Sequence, residues 1–314
     1  MKKPVRPAVD GAIAPRAGVS RDGQPLSYNR APAADLAPWI GRLYATVVDT
    51  PADHRLDCSL FSDAATIRIQ LRGTWTAQTA DGPRANERAA LFFGPQTRAM
   101  PVSVTGSFTS VGMLLRPGCG HALRGMRADK YINRMLTCEE IGLPGEAALD
   151  MLEVSNDPEE WLQRLEDLIR QIVAASGSVL PDPVTARFEA LAFTDPTANI
   201  ADFARDCGIA QRQLERIVRR DFGMAPKQVL RRARALDMAS HLRGVADSAE
   251  AEELALRFYD QSHLIREFTQ LFGMSPRQFA ERPQPILTLS LESRQARRLE
   301  LINRLAPGAT RPWQ

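Results

Sequence analysis

The chain has 314 residues, 44% hydrophobic and 25% charged, with 40 basic residues against 37 acidic ones and a formal net charge of +3. That length suggests two domains, and so small an excess of base means that any surface built for nucleic acid must be local. The composition is that of an ordinary soluble globular protein, and no apolar run approaches the roughly 18 residues of a membrane helix, so no membrane partner is expected.

The first stretch, "MKKPVRPAVDGAIAPRAG", starts basic but is broken by Pro4, Pro7, Asp10 and Pro15. It lacks the apolar core of a signal peptide, and residues 1–30 read as a disordered arm. Residues 31–155 have short alternating runs bounded by turn residues. "ATIRIQLRGTW" sets Ile67, Ile69 and Leu71 on one face of a strand and Arg68 and Gln70 on the other. "AALFFGPQT" and "VSVTGSFTSVGMLLRPG" continue in that style, as in a sandwich or small barrel. Cys58, Cys119, Cys138 and Cys207 lie far apart with no C-x-x-C pair. They read as reduced thiols of a cytoplasmic protein, with no metal site and no cofactor expected.

Residues 156–180 hold an amphipathic helix and a linker. Asp157 and Pro158 supply a helix start, and Trp161, Leu162, Leu165, Ile169, Ile172 and Val173 recur at steps of three and four. That stripe fits either a dimer contact or packing on the chain's own sheet. "SGSVLPDP", Ser176 to Pro183, breaks the pattern and marks a boundary.

Residues 181–282 read helical and contain a repeat: "DFGMAPKQV" from Asp221 returns as "LFGMSPRQF" from Leu271. Phe222 on Phe272 aligns Leu214 with Leu264, Arg216 with Arg266 and Pro226 with Pro276. In the first copy Ile200, Phe203 and Ala204 face one way, Gly208 permits a tight turn, and Leu214, Ile217 and Val218 give the next helix a buried face. That is a helix-turn-helix pattern. In the second copy Asp247 and Glu250 make a capping-box pattern, and the following helix starts near Asp260. "PKQVLRRARALDMASHLRG" joins the copies as one helix, which at about 1.5 Å per residue spans about 25 Å. Two reading helices held that far apart suit successive major grooves, which repeat every 34 Å or so. Residues 283–314 form a C-terminal extension with Arg294, Arg297, Arg298 and Arg304 among leucines. It fits an amphipathic helix docked on the second unit or a basic arm touching phosphate.

Residues 183–282 resemble the tandem helix-turn-helix DNA-binding domain of the AraC/XylS family of bacterial transcription regulators, most closely over "DQSHLIREFTQLFGMSPRQF", Asp260 to Phe279. Two departures stand out. Ala210 occupies the place of a capping serine, and "ALRFYDQSH" is a pair of residues shorter than the family's turn, which implies a shortened or shifted first helix in the second unit. "LFFGPQTRAMPVSVTGSFTSVGMLLRPGCGHAL", with Gly94 to Thr97 as its recognisable string, resembles the cupin-like sensor domain of one branch of that family. The implied architecture is an N-terminal cupin-like β-barrel (α+β) followed by an all-α tandem helix-turn-helix domain.

The resemblance implies a regulator of double-stranded DNA, working in the cytoplasm. A homodimer, an unidentified small-molecule effector and, for an activator, RNA polymerase are its further implied partners. Candidate DNA contacts in the first unit are Gln211, Arg212, Gln213, Arg216, Arg219 and Arg220, since arginine pairs with guanine and glutamine with adenine. The matching set in the second unit is Gln261, Ser262, His263 and Arg266. Lys227, Arg231, Arg232 and Arg277 are candidates for phosphate, and Arg68, Gln70 and Trp75 for an effector pocket. Enzymatic readings lack a spacing signature: there is no serine elbow, phosphate loop or metal-binding His pair, and His54 and His121 stand isolated.

Overall fold

The computed structural model of the chain describes residues 6–154, 156–247 and 261–314, with side chains in the last stretch from residue 265 onward. Among the described residues the N-terminal half is built on nine antiparallel strands: β1 (Ala14–Pro15), β2 (Tyr28–Arg30), β3 (Ile40–Asp49), β4 (Arg55–Leu60), β5 (Thr66–Thr79), β6 (Gly82–Asn86), β7 (Ala89–Phe93), β8 (Met100–Leu115) and β9 (Met135–Thr137). The main path runs β1-β3-β8-β5-β7-β9, with β2 on β3, β4 on β8 and β6 on β5. The two long strands β5 and β8 are the spine. Register shifts between Gln70 and Arg72, and again between Arg72 and Thr74, bend β5, because an extra residue in one strand sharpens the local twist. The sheet therefore curls.

Strand alternation then sorts the side chains. Ile67 and Ile69 point to the outer face, joining Ile40, Leu43, Val111 and Met113 in a core. Helices α2 (Gly145–Glu153) and α3 (Pro158–Ala175) cover that core. As the start signal predicts, the Asp157 carboxylate accepts from the Glu160 N–H at 2.9 Å, with Pro158 in the first turn. The stripe Trp161, Leu162, Leu165, Ile169 and Val173 is buried in this same core. Of the two readings left open for it, packing on the chain's own sheet is the one observed.

The segment expected to be a disordered arm is, from residue 6, part of the fold. β1 pairs with Val48 and Asp49, and β2 with Leu43, Tyr44 and Ala45. Ser20, Gln24, Leu26 and Ser27 are buried. The Ala8 N–H reaches the Ala280 carbonyl at 2.8 Å, and Arg21 N–H the Trp313 carbonyl at 3.0 Å. Composition misleads here because the segment has no core of its own and borrows one from residues far along the chain.

The helical half comprises α4 (Pro183–Thr194), α5 (Ile200–Asp206), α6 (Gln211–Phe222), α7 (Pro226–Leu242), α8 (Gln261–Phe272), α9 (Pro276–Glu281) and α10 (Pro285–Leu301); α1 is the short helix Cys119–Arg124. The C-terminal extension is neither a loose arm nor a phosphate contact. Leu287, Leu291, Ala296 and Leu299 of α10 share one core with Leu236, Phe268, Phe272 and Phe279 of the helical half. Leu26, Phe61 and Trp313 join it, so α10 lies between the two halves. Its arginines are consumed there: Arg294 pairs with Asp63 and Asp237, Arg297 with Glu189, and the Arg298 Nε donates to the Phe193 carbonyl at 2.9 Å.

Candidate nucleic-acid interface

Helix α5 starts where Asn199 accepts from the N–H groups of Ala201 and Asp202, at 2.8 and 3.3 Å. It stops at Cys207, and Gly208, at φ 68°, turns the chain. Left-handed backbone of this kind suits glycine. Ala210 then opens α6 without a side-chain cap. Leu214, Ile217, Val218 and Phe222 are buried, with Phe188 edge-on to both Phe203 and Phe222. This is the helix-turn-helix that the spacing predicts.

The opposite face of α6 is open. Gln211, Arg212, Gln213, Arg216 and Arg219 are all exposed. Arg212, Arg216 and Arg219 follow steps of four and three, so they form one ridge. Among the described residues none of these three arginines has an ion-pair partner, whereas Gln211 donates to Glu215 at 3.3 Å. Lys227, at the start of α7, is likewise exposed.

Three basic candidates have other work. Arg220 is half-buried and pairs with Asp221 and, at 3.3 Å, with Asp182, which fixes α6 to the start of α4. Arg231 pairs with Glu267 at 2.8 Å and donates to Gln270 at 3.0 Å, holding α8 on α7. Arg232 is 1% exposed and cannot reach phosphate. Its Nη1 donates to the Gln96 carbonyl at 2.9 Å and its Nη2 to the Asp63 carbonyl at 2.6 Å, both in the sheet domain. Burial lowers its pKa to about 10, so it stays charged at neutral pH. Arg277 is exposed and pairs with Glu281 one turn on, at 2.7 Å.

In the second unit Arg266 is exposed on α8, together with Ile265, Thr269 and Gln270. The side chains of Gln261, Ser262 and His263 lie outside the described residues, as does the stretch 248–260 that carries the shortened turn. The end of the repeat is well defined. Gly273, at φ 71°, closes α8 as Gly223, at φ 80°, closes α6. Ser275 Oγ accepts from the Gln278 N–H at 3.3 Å while Gln278 Oε1 accepts from the Ser275 N–H at 3.0 Å. The first unit has half of this box, Gln228 Oε1 accepting from the Ala225 N–H at 3.0 Å. Ser275→Ala is therefore expected to cost about 1 kcal/mol, and Ala225→Ser to recover a similar amount, both read from thermal melting.

Helices α6 and α8 both touch the sheet domain at their C-terminal ends. A side chain at Gly223 would come within 3.1 Å of the Ala128 carbonyl oxygen. The Leu271 carbonyl accepts from the Ala99 N–H at 2.7 Å, and Phe272 meets Phe61 edge-on at 5.2 Å. The start of α6, which carries the base-reading candidates, points away from those contacts and is free.

Of the expected pocket residues, Arg68 and Trp75 line one cavity inside the curl of the sheet. Gln70 is buried at 1% exposure but does not line it. Tyr44, Phe93, Ser110 and four residues of α10 do. Sequence reasoning passed over these because they come from separate strands and from the far end of the chain; the alternation in "VSVTGSFTSVGMLL" was the signal available for Ser110.

Residues 203–282 match a family described as a helix-turn-helix domain. No curated protein matches the chain. Among solved structures the chain is similar to apo ToxT from Vibrio cholerae, at 11% identity and a TM-score of 0.45, over 80% of this chain and 98% of that one. It is also similar to wild-type ToxT from Vibrio cholerae bound to an unsaturated fatty acid, at 10% identity and 0.42, over 87% and 96%. The AraC-like transcriptional activator CuxR follows at 15% identity and 0.30, over 62% and 80%. These are resemblances at low identity, and the reading rests on the matched segment and its geometry. Residues 203–282 are thus a helix-turn-helix domain, set behind an antiparallel sheet domain.

Proposed function

We propose that the chain reads two adjacent major-groove segments of duplex DNA, α6 entering one and α8 the next, under the control of the N-terminal sheet domain. The observation that carries this reading is the ridge Arg212, Arg216 and Arg219, exposed and, among the described residues, without ion-pair partners. Elsewhere in the helical half arginines such as Arg220, Arg231, Arg294 and Arg297 are spent on acids of the protein itself. Exposed guanidinium groups along a reading helix suit the O6 and N7 of guanine, and Gln211 and Gln213 suit adenine. The seventeen-residue connector α7 separates the units, at a length of about 25 Å.

The first unit supplies most of the charge, with Arg266 as the described basic residue that α8 presents. Lys227 and Arg277 serve as backbone contacts. The sheet domain binds a small effector, and its contacts with the ends of α6 and α8 pass the signal on. Should the chain activate, RNA polymerase is the partner; a homodimer would use a face other than the buried stripe of α3. The work is done in the cytoplasm, where the DNA is.

Selection of random duplexes by the full chain tests the reading. Recovery of one enriched sequence in two blocks about a helical turn apart is expected, and no enrichment from a folded sample would end it. On the selected duplex, Lys227→Ala is expected to weaken binding evenly across sequences and to lower the slope of log K against log salt by about 1, measured by fluorescence anisotropy.

A further inference from the structure

Among the described residues, Arg68 is the one charged residue on the wall of the sheet-domain cavity, and none there is acidic. The alternation of β5 turns it into the curl, where it is 8% exposed. Its Nε donates to the Tyr44 hydroxyl at 3.3 Å. Its guanidinium carbon lies 5.5 Å from the Trp75 ring centre and 5.3 Å from that of Phe93. Among the described residues no carboxylate pairs with it. Other buried arginines are compensated: Arg42 by Glu300 at 2.7 Å, Arg294 by two aspartates, Arg232 by two carbonyls. Aromatic faces stabilise a cation only in part, and a guanidinium taken out of water without a counter-charge is costly. Two further polar groups of the same wall, the Trp75 Nε1–H and the Ser110 Oγ, are buried with no hydrogen-bond partner.

One fixed fork of N–H donors, an unused indole N–H and an unused hydroxyl are the complement of a carboxylate. The rest of the wall is largely apolar, with Leu60, Phe108, Leu114, Ile286 and Leu289. A doubly charged oxyanion would leave charge against these side chains, whereas a monoanion with a short apolar tail would not. Size agrees. The cavity is about 50 Å³, room for a few waters, so the occupant is small.

We propose that this cavity binds a short monocarboxylate, with its carboxylate on Arg68 and its apolar end against α10. Ile286, Leu289, Ser290 and Ser293 of α10 form that wall, while Leu287 and Leu291 of the same helix sit in the core shared with α8 and α9. The ligand thus touches the helix on which the second reading unit is packed, and its occupancy is transmitted without passing through the linker. This deepens the reading of the sheet domain as an effector domain.

The test uses the full chain without DNA, so its failure leaves the DNA-reading proposal standing, and failure of duplex selection leaves the ligand site standing. Sodium formate, acetate and propionate are compared with the neutral amides of the same skeletons, by calorimetric titration and thermal melting. At least one acid is expected to bind and raise the melting temperature with concentration, its amide binding roughly tenfold or more weakly. Arg68→Met should abolish the preference for acid over amide. Should that variant fold poorly, Ser290→Leu, which fills the cavity from the α10 side, is expected to block binding with Arg68 still in place. Equal binding of acid and amide, unchanged binding by both variants, or no binding of any acid at millimolar concentration would each overturn the proposal.

Discussion

Arg294→Ala is expected to cost about 3–5 kcal/mol of folding stability, because deleting one member of a buried ion cluster strands the others. Arg294 is 3% exposed, with Nε 2.9 Å from Asp63 and Nη1 2.6 Å from Asp237, and its guanidinium lies over the Phe193 ring at 5.1 Å. Asp63 belongs to the sheet domain, Asp237 to α7 and Arg294 to α10, so this one side chain joins three parts of the molecule. A urea titration followed by circular dichroism would show the loss, and a midpoint within error of wild type would refute it. The same cluster makes a statement about pH. Burial by itself would raise the Asp63 carboxyl, but the charges of Arg294, Arg297 and Arg232 hold it below its ordinary value. A depressed folded-state pKa adds stability above the unfolded value, about 4 for aspartate, and that stability is lost as pH falls through the lower folded value. Asp63→Asn should therefore be less stable than wild type at neutral pH, with the difference shrinking as the solution is acidified below about pH 4. A difference that does not vary with pH would mean that the charge of Asp63 contributes nothing.

Arg216→Ala is expected to weaken binding to the selected duplex by about 1–3 kcal/mol and to relax the preference at one base pair. The residue is exposed at the free end of α6, one turn beyond Arg212, and its loss leaves the buried face of that helix intact. Repeating the duplex selection with the variant checks this: an unchanged sequence profile would remove Arg216 from the base-reading set. Arg232→Ala supplies the contrast. Sixteen residues further on and equally basic, Arg232 touches Gln96 and Asp63 rather than solvent. Its replacement should lower the melting temperature and leave the salt slope of DNA binding as it was. A flattened slope at wild-type stability would show that it meets phosphate after all.

The helical half was legible because its information is local. The repeat from Asp221 and Leu271, the turn glycine at 208 and the apolar steps of three and four each act within a few residues, and the observed α5, α6 and α7 follow them. The caps at Asp157 and Asn199 belong to the same class. The split of β5 into an Ile67–Ile69 face and an Arg68–Gln70 face was also readable, since alternation is a property of any strand. Whether the polar face met water was not. Arg68 and Gln70 are both buried, Arg68 in a cavity that residues of α10 help to wall.

What sequence determines by itself here is the kind of unit present: a helix-turn-helix domain with a repeated closing motif, behind a β-rich half, with arginines along α6. Tertiary structure alone decides which arginines remain available. Arg216 and Arg232 read alike in a string of letters, yet the second is covered by backbone carbonyls 136 and 169 residues away. Likewise, residues 6–30 and α10 carry too little periodic or compositional signal to announce that each is half of an interface with the other and with the sheet. The physical reason is common to all three cases. Helical and strand periods state which way a side chain points, while burial depends on what long-range packing brings to stand opposite it.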